Sequence, residues 1–247
     1  MSSVLSTKAI FFIIFFVGLA DQETDFFKEI DHNYSAAKSI ADLYTLEASI
    51  KEFIKTSPTS DKLLWRLGRI YFKLGDKSNT ESEKIHYFSL CMVQTGKTLK
   101  INSQSANGYF FNGLCNGTLG QTQGIWSSLS KIGPFKNDME TAISLDPSVE
   151  EGGPHRALGN LYLKLPYILG GNLDRSIRHF QKAIQLGSEF GENYLGLAEA
   201  YIENEDFTLA KDTLHTLLNI KSRSQKAESM RAWQTEARSF LKKIRDK

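Results

Sequence analysis

Cysteine is scarce in this chain: two in 247 residues. That excludes a disulfide-built scaffold and a four-cysteine zinc site. Proline is scarce too, five residues, and neither it nor the 18 glycines follow a triplet period, which excludes a collagen-like chain. Long hydrophobic runs are missing. The longest, residues 9–20 (AIFFIIFFVGLA), falls short of the ~20 residues that cross a bilayer, so a polytopic membrane protein is excluded. No sign of charge dominates: 30 Lys and Arg against 28 Asp and Glu leave a net charge of +2, too little to hold nucleic acid as a main partner. The motifs of chemistry are also missing. The five histidines (32, 86, 155, 179 and 215) show no H-E-x-x-H and join no Cys/His cluster, so no metal or other cofactor is expected. Gly96-Lys97-Thr98 echoes a phosphate loop, but Cys91 stands where that motif needs glycine. No G-x-S-x-G elbow occurs. The expectation is a protein that is not an enzyme.

What is present is an ordinary globular composition, 41% hydrophobic and 23% charged. The apolar run 9–20, with Lys8 before it, Gly18-Leu19-Ala20 at its end and Asp21 opening a polar stretch, has the length and small-residue exit of a signal peptide. Residues 1–20 are therefore expected to be a cleaved signal and 21–247 one mature domain, periplasmic or secreted. No cysteine follows the run, so a lipid-modified cysteine has no place there. Outside the cytosol a disulfide persists.

An internal repeat organises the mature part. Leu67-Gly68-x-x-Tyr71, Leu158-Gly159-x-x-Tyr162 and Leu197-Ala198-x-x-Tyr201 share one pattern. Ala183 and Leu217 hold equivalent places 34 residues apart, and Leu158 to Leu197 is that spacing with an insert near 165–169. A 34-residue period is that of the tetratricopeptide helix–turn–helix unit. The small residue lets two helices approach while Leu and Tyr fill the space beside it. All five prolines fall at expected helix ends or turns, where a missing N–H costs little. The expected fold is all-α, a tetratricopeptide-like solenoid, with helices over 22–31, 35–44, 46–56, 61–75, 81–102, 105–119, 135–146, 154–165, 173–187, 191–203, 207–220 and 224–245. The last carries Met230, Trp233, Ala237, Leu241 and Ile244 on one face, the pattern of a helix that caps the open end of a solenoid. Residues 221–247 hold nine Lys or Arg against three Asp or Glu, read either as a solvated outer face or as a basic patch for an anionic membrane or partner.

Two stretches go beyond a generic repeat. EGGPHRALGNLYLKLPYILGGNLDRSIRHFQKAI (151–184) carries paired glycines on both sides of a helix, and SANGYFFNGLCNGTLGQTQGIWSSLSKIGPFKNDMETAISLDP (105–147) precedes it. Together they resemble the tetratricopeptide T-component proteins associated with TRAP transporters and, more distantly, the regulators of microtubule dynamics. The resemblance runs from about Leu46 to Ser222. It implies an exported, all-helical accessory protein that handles small organic ligands for a periplasmic solute-binding partner and can form homo-oligomers. The alternative is a general interaction scaffold with an open groove for a peptide or helix.

One residue round from the packing positions lies the expected groove lining. It places Trp65, Arg69, Phe110, Arg156 and Asn160 as candidate ligand-binding residues, apolar walls with sparse polar groups suited to a small amphipathic organic acid. Arg69 and Arg156 are expected to face an internal cavity and take an anionic group. The competing reading makes these residues core, with both arginines on the surface. The 165–171 insert is expected to be a structured turn over one mouth of the groove. Cys91 and Cys115 lie at equal distance from a turn centred on Ser103, which brings them to one height in a helix pair and allows a disulfide.

Overall fold

The computed structural model describes residues 23–221 and 227–247. The expected signal peptide at 1–20 lies outside the described residues. Local side-chain chemistry sets several helix starts. Ser39 accepts the Asp42 N–H while the Asp42 carboxylate accepts from the Ser39 N–H, and Thr80 and Glu83 repeat the arrangement; such reciprocal caps satisfy donors that a helix start leaves orphaned. Asn172 caps by accepting from the Arg175 N–H. The helices are α1 (23–36), α2 (Ile40–Thr56), α3 (Asp61–Lys77), α4 (Glu81–Ile101), α5 (Ala106–Thr122), α6 (Ile125–Leu145), α7 (Val149–Lys164), α8 (Leu173–Leu186), α9 (Gly191–Glu203), α10 (Phe207–Asn219) and α11 (Ala227–Lys243). A 3₁₀ turn, Tyr167–Leu169, lies between α7 and α8. Among the described residues there is no strand.

Short connections fold each helix back on its predecessor, and packing is heaviest between sequence neighbours, as in a solenoid. The small repeat residues do what the pattern implied. Gly68 on α3 lies against Thr95 of α4, and Gly159 on α7 against the Phe180 ring of α8, where an added Cβ would stand 3.0 Å from the ring. Ala198 of α9 is fully buried with Ala210 and Leu214 of α10. Three core clusters run along the chain: one under α1–α4, one joining Trp65 to α5–α7, and one from α8 to α11. Met230 and Ala237 of α11 and Ile244 just beyond it are buried in the last, with Trp233 and Leu241 packed on it. The cap face is thus the apolar stripe read from the sequence. Cys91 of α4 and Cys115 of α5 form a disulfide with Cα atoms 6.1 Å apart.

Two boundaries differ from expectation. The segment 35–44 is divided at 37–39, and α2 runs unbroken through Thr45. The Thr45 hydroxyl donates to the Ala41 carbonyl inside the helix, which absorbs its polarity without a break. The helix expected at 135–146 begins ten residues earlier, at Ile125. Pro134 was expected at a helix end, yet it sits inside α6 on an exposed side, where water can satisfy the carbonyl that loses its helical partner. The regular part of α7 starts where expected, but an irregular lead-in precedes it. Glu150, Glu151 and Gly152 have φ of 46, 57 and 79°, a left-handed turn, and regular helix starts beyond it with Pro154 in the first turn. Gly152 is required twice over: its φ is positive, and a Cβ would stand 2.8 Å from the Ala183 backbone.

Candidate functional site

The left-handed turn explains both arginines singled out from the sequence. Arg69, on α3, is buried and ion-paired to Asp31 of α1 and to Glu150 of the turn, the latter at 3.3 Å. The Tyr34 ring lies over its guanidinium at 4.0 Å. Burial pushes the Arg69 pKa down, but Glu150, Tyr34 and Asp31 outweigh it and the net shift is upward. Arg66 adds a two-pronged pair to the same Asp31, at 3.0 and 2.7 Å. Burial raises the Asp31 carboxyl, and the Arg66 hydrogen bond with the two guanidinium charges overcomes it, leaving the pKa lowered. Arg156 donates to the Glu150 carbonyl at 3.4 Å and to the Asn193 side chain at 2.9 Å, beside Glu192 at 3.5 Å. Asn193 in turn donates to the Glu151 carbonyl at 3.1 Å. Strained backbone of this kind persists only where its surroundings over-determine it; here two arginines and an asparagine do so. The carboxylates at Arg69 and Arg156 are the chain's own.

Trp65 and Phe110 are buried in the middle core cluster with Ala157 and Leu158. Asn160 differs from the other four candidates. It is exposed and lines an apolar groove between the α5–α6 hairpin, the second half of α7 and the insert. The groove encloses about 460 Å³. Leu114 of α5, Leu129, Ile132 and Phe135 of α6, and Leu161 of α7 wall it; Thr118, Gln121, Asn160, Lys131 and Lys164 supply its polar edge. Lys164 also pairs with Glu199 of α9. Leu165, Pro166 and Leu169 of the insert complete one side, while Tyr167 and Ile168 point to solvent, 87% and 88% exposed. The insert is a built turn: Gly171 N–H returns to the Pro166 carbonyl at 3.1 Å, and a Cβ on Gly171 would collide with the Leu165 carbonyl oxygen. The α6 contribution escaped the sequence reading because residues 125–134 read as a loop. Ile125, Leu129, Ile132 and Phe135, at steps of 4, 3 and 3, were the signal that could have revealed it.

A second polar pair lies behind α7. His155 and His179 have Nδ1 atoms 3.0 Å apart, with the Tyr162 ring stacked on His179 at 5.6 Å. Burial depresses both. His179 is pushed down to about 4, helped by the His155, Arg178, Arg175 and Lys136 charges. Among the described residues no group of three or more His, Cys, Asp or Glu could hold a metal ion. Asn116, which opens the N-x-T triplet Asn116-Gly117-Thr118, is buried inside α5.

The TRAP transporter T-component profile matches residues 114–246, more than half of the chain and all of the α6–α7–insert region. The chain belongs to the TRAP transporter T-component family. Over its first half, residues 26–151, this T-component also matches the profile of regulator of microtubule dynamics proteins 1–3. No curated protein sequence matches significantly. Among solved structures, a thermophilic TPR protein of Thermus thermophilus is similar at a TM-score of 0.61 and 16% identity, over 81% of this chain and 92% of that one; this likeness supports the helical-repeat fold. MamA (TM-score 0.45, 16% identity, 84% and 93% covered) and a human IFIT1 dimer with PPP-AAAA (0.43, 14%, 82% and 52%) are looser likenesses that bear on nothing further. The T-component is thus a TRAP-associated helical accessory module. Family membership is consistent with an extracytoplasmic place, and among the described residues no helix is long and apolar enough to cross a membrane.

Proposed function

We propose that this T-component is an exported, non-catalytic module, one domain over 21–247 after loss of the 1–20 signal, that holds a small amphipathic organic acid and passes it to a periplasmic solute-binding protein. The α5–α6–α7 groove carries the reading. Its volume of about 460 Å³ falls in the range of small-molecule sites, and apolar walls with a few polar groups at one edge are the composition such sites share. The ligand's hydrocarbon lies against Leu129, Ile132 and Leu161, and its carboxylate meets Lys131 and Asn160 at the edge. Trp65 and Phe110 support the groove from the core, and Arg69 and Arg156 hold the turn from which α7 starts.

Displacement of a fluorescent anilinonaphthalene sulfonate by dodecanoate tests the reading. Wild type should bind the dye and release it to dodecanoate, and Leu129→Glu should weaken both by tenfold or more. A protein that binds neither, or a Leu129→Glu variant that binds as well as wild type, would remove the groove from the mechanism. A second reading, a protein-interaction scaffold, rests on the exposed apolar side chains around the same mouth. Ile125 and Trp126 at the start of α6 are 67% and 83% exposed, and Tyr167 and Ile168 of the insert 87% and 88%; exposed apolar patches mark contact surfaces for a partner or another copy. Pull-down of the solute-binding protein by wild type but not by Trp126→Ser, with dodecanoate affinity unchanged, would favour it.

A further inference from the structure

The basic C-terminal segment has a structural counterpart that the groove does not use. At the outer end of the solenoid, α10 and α11 leave a cleft of about 450 Å³ lined by Lys211, His215, Leu241, Lys242 and Arg245. Lys211 and His215 are one turn apart on α10; Leu241 and Lys242 end α11, and Arg245 lies in the turn just beyond it. Four of the five lining residues are basic and none is a carboxylate. The geometry is held in place. Lys211 Nζ donates to the main-chain oxygens of Arg245 at 3.5 Å and Lys247 at 3.0 Å, tying the end of α11 to α10. The acidic neighbour Asp246 approaches Arg245 through Nε at 3.5 Å, the side of the guanidinium away from its terminal fork.

From this cleft we propose a binding site for a phosphate group. The lining offers the Lys242 ammonium, the His215 imidazole and the Arg245 guanidinium, beside Lys211, whose ammonium already serves two main-chain oxygens. A carboxylate has two oxygens and one charge and would leave part of this set unused. A phosphate offers three or more oxygens and up to two charges, which match an arginine fork flanked by lysines. The phosphate can be that of a free anion or of a lipid headgroup; the chemistry of recognition is the same.

The test uses the full chain in two arms: calorimetric titration with inorganic pyrophosphate, and co-sedimentation with phosphatidylglycerol–phosphatidylcholine vesicles, pure phosphatidylcholine vesicles serving as blank. Lys242 and Arg245 are exposed, so Lys242→Glu/Arg245→Glu should keep the helical spectrum. Lys97→Glu/Lys100→Glu, also exposed on α4, makes the same change in net charge elsewhere. Binding in at least one arm is expected, weakened tenfold or more by the cleft variant and less than twofold by the α4 variant. Pyrophosphate binding identifies a free anion as a sufficient ligand; binding to anionic vesicles alone identifies the headgroup. Absence of binding in both arms, equal loss in the two variants, or acetate binding as tightly as pyrophosphate overturns the proposal.

Discussion

Phe180 of α8 has no exposed surface, and its ring is flanked by two glycines, Gly159 of α7 and Gly196 of α9. A methyl at Gly159 would stand 3.0 Å from the ring, while one at Gly196 would overlap it. Overpacking a filled core costs about 1–3 kcal/mol. Gly196→Ala should therefore lie at or above the top of that range and Gly159→Ala near the bottom, read from urea unfolding midpoints; equal losses would contradict the packing described. The histidine pair gives a second prediction at this scale. A histidine held below its unfolded value of 6.5 resists protonation in the fold, so the unfolded chain binds protons first. Its contribution to stability is full above pH 6.5 and is lost as pH falls toward about 4. His155 shifts the same way. The urea midpoint should fall between pH 7 and pH 5, and His179→Gln should flatten that slope. An unchanged slope would mean that other groups set the acid sensitivity.

Among elements, the joint between α1, α3 and the start of α7 depends on Arg69. Removing one member of a buried ion pair costs about 3–5 kcal/mol, but Asp31 and Glu150 are about a third exposed and can recover water. Arg69→Ala should lie near the lower end, about 3 kcal/mol, and Arg69→Met, which keeps the apolar stem, should lose less; the difference in urea midpoint between the two reads the charge apart from the packing. This joint also shows where sequence reading stops. The Leu-Gly-x-x-Tyr pattern located α3, α7 and α9 because burial of one helical face repeats along a single chain. The partner of Arg69 was not legible, since Asp31 and Glu150 are 38 and 81 residues away and no local period links them. The groove was half legible for a related reason. Asn160 and the insert lie next to the repeat pattern, whereas α6 contains a glycine and a proline that locally favour a loop, and it packs along α5.

For the whole molecule, the Cys91–Cys115 bond joins the second helix of one repeat to the first helix of the next. It closes a loop with a sequence separation of 24, for which loss of chain entropy in the unfolded state corresponds to about 3–4 kcal/mol. Reduction should lower the urea midpoint accordingly, with no change in helical spectrum before unfolding. A far smaller shift would place the bond's contribution elsewhere than in the unfolded chain.

The same bond has a mechanical consequence. A solenoid drawn out from its two ends lengthens by releasing chain, and a covalent link removes the enclosed stretch from what can be released. At roughly 3.4 Å per extended residue, the separation of 24 keeps about 80 Å of contour hidden. Pulled in a force spectrometer, the oxidised protein should reach full extension about 80 Å short of the reduced one. The missing length should return in a single step when a reductant cuts the bond under load.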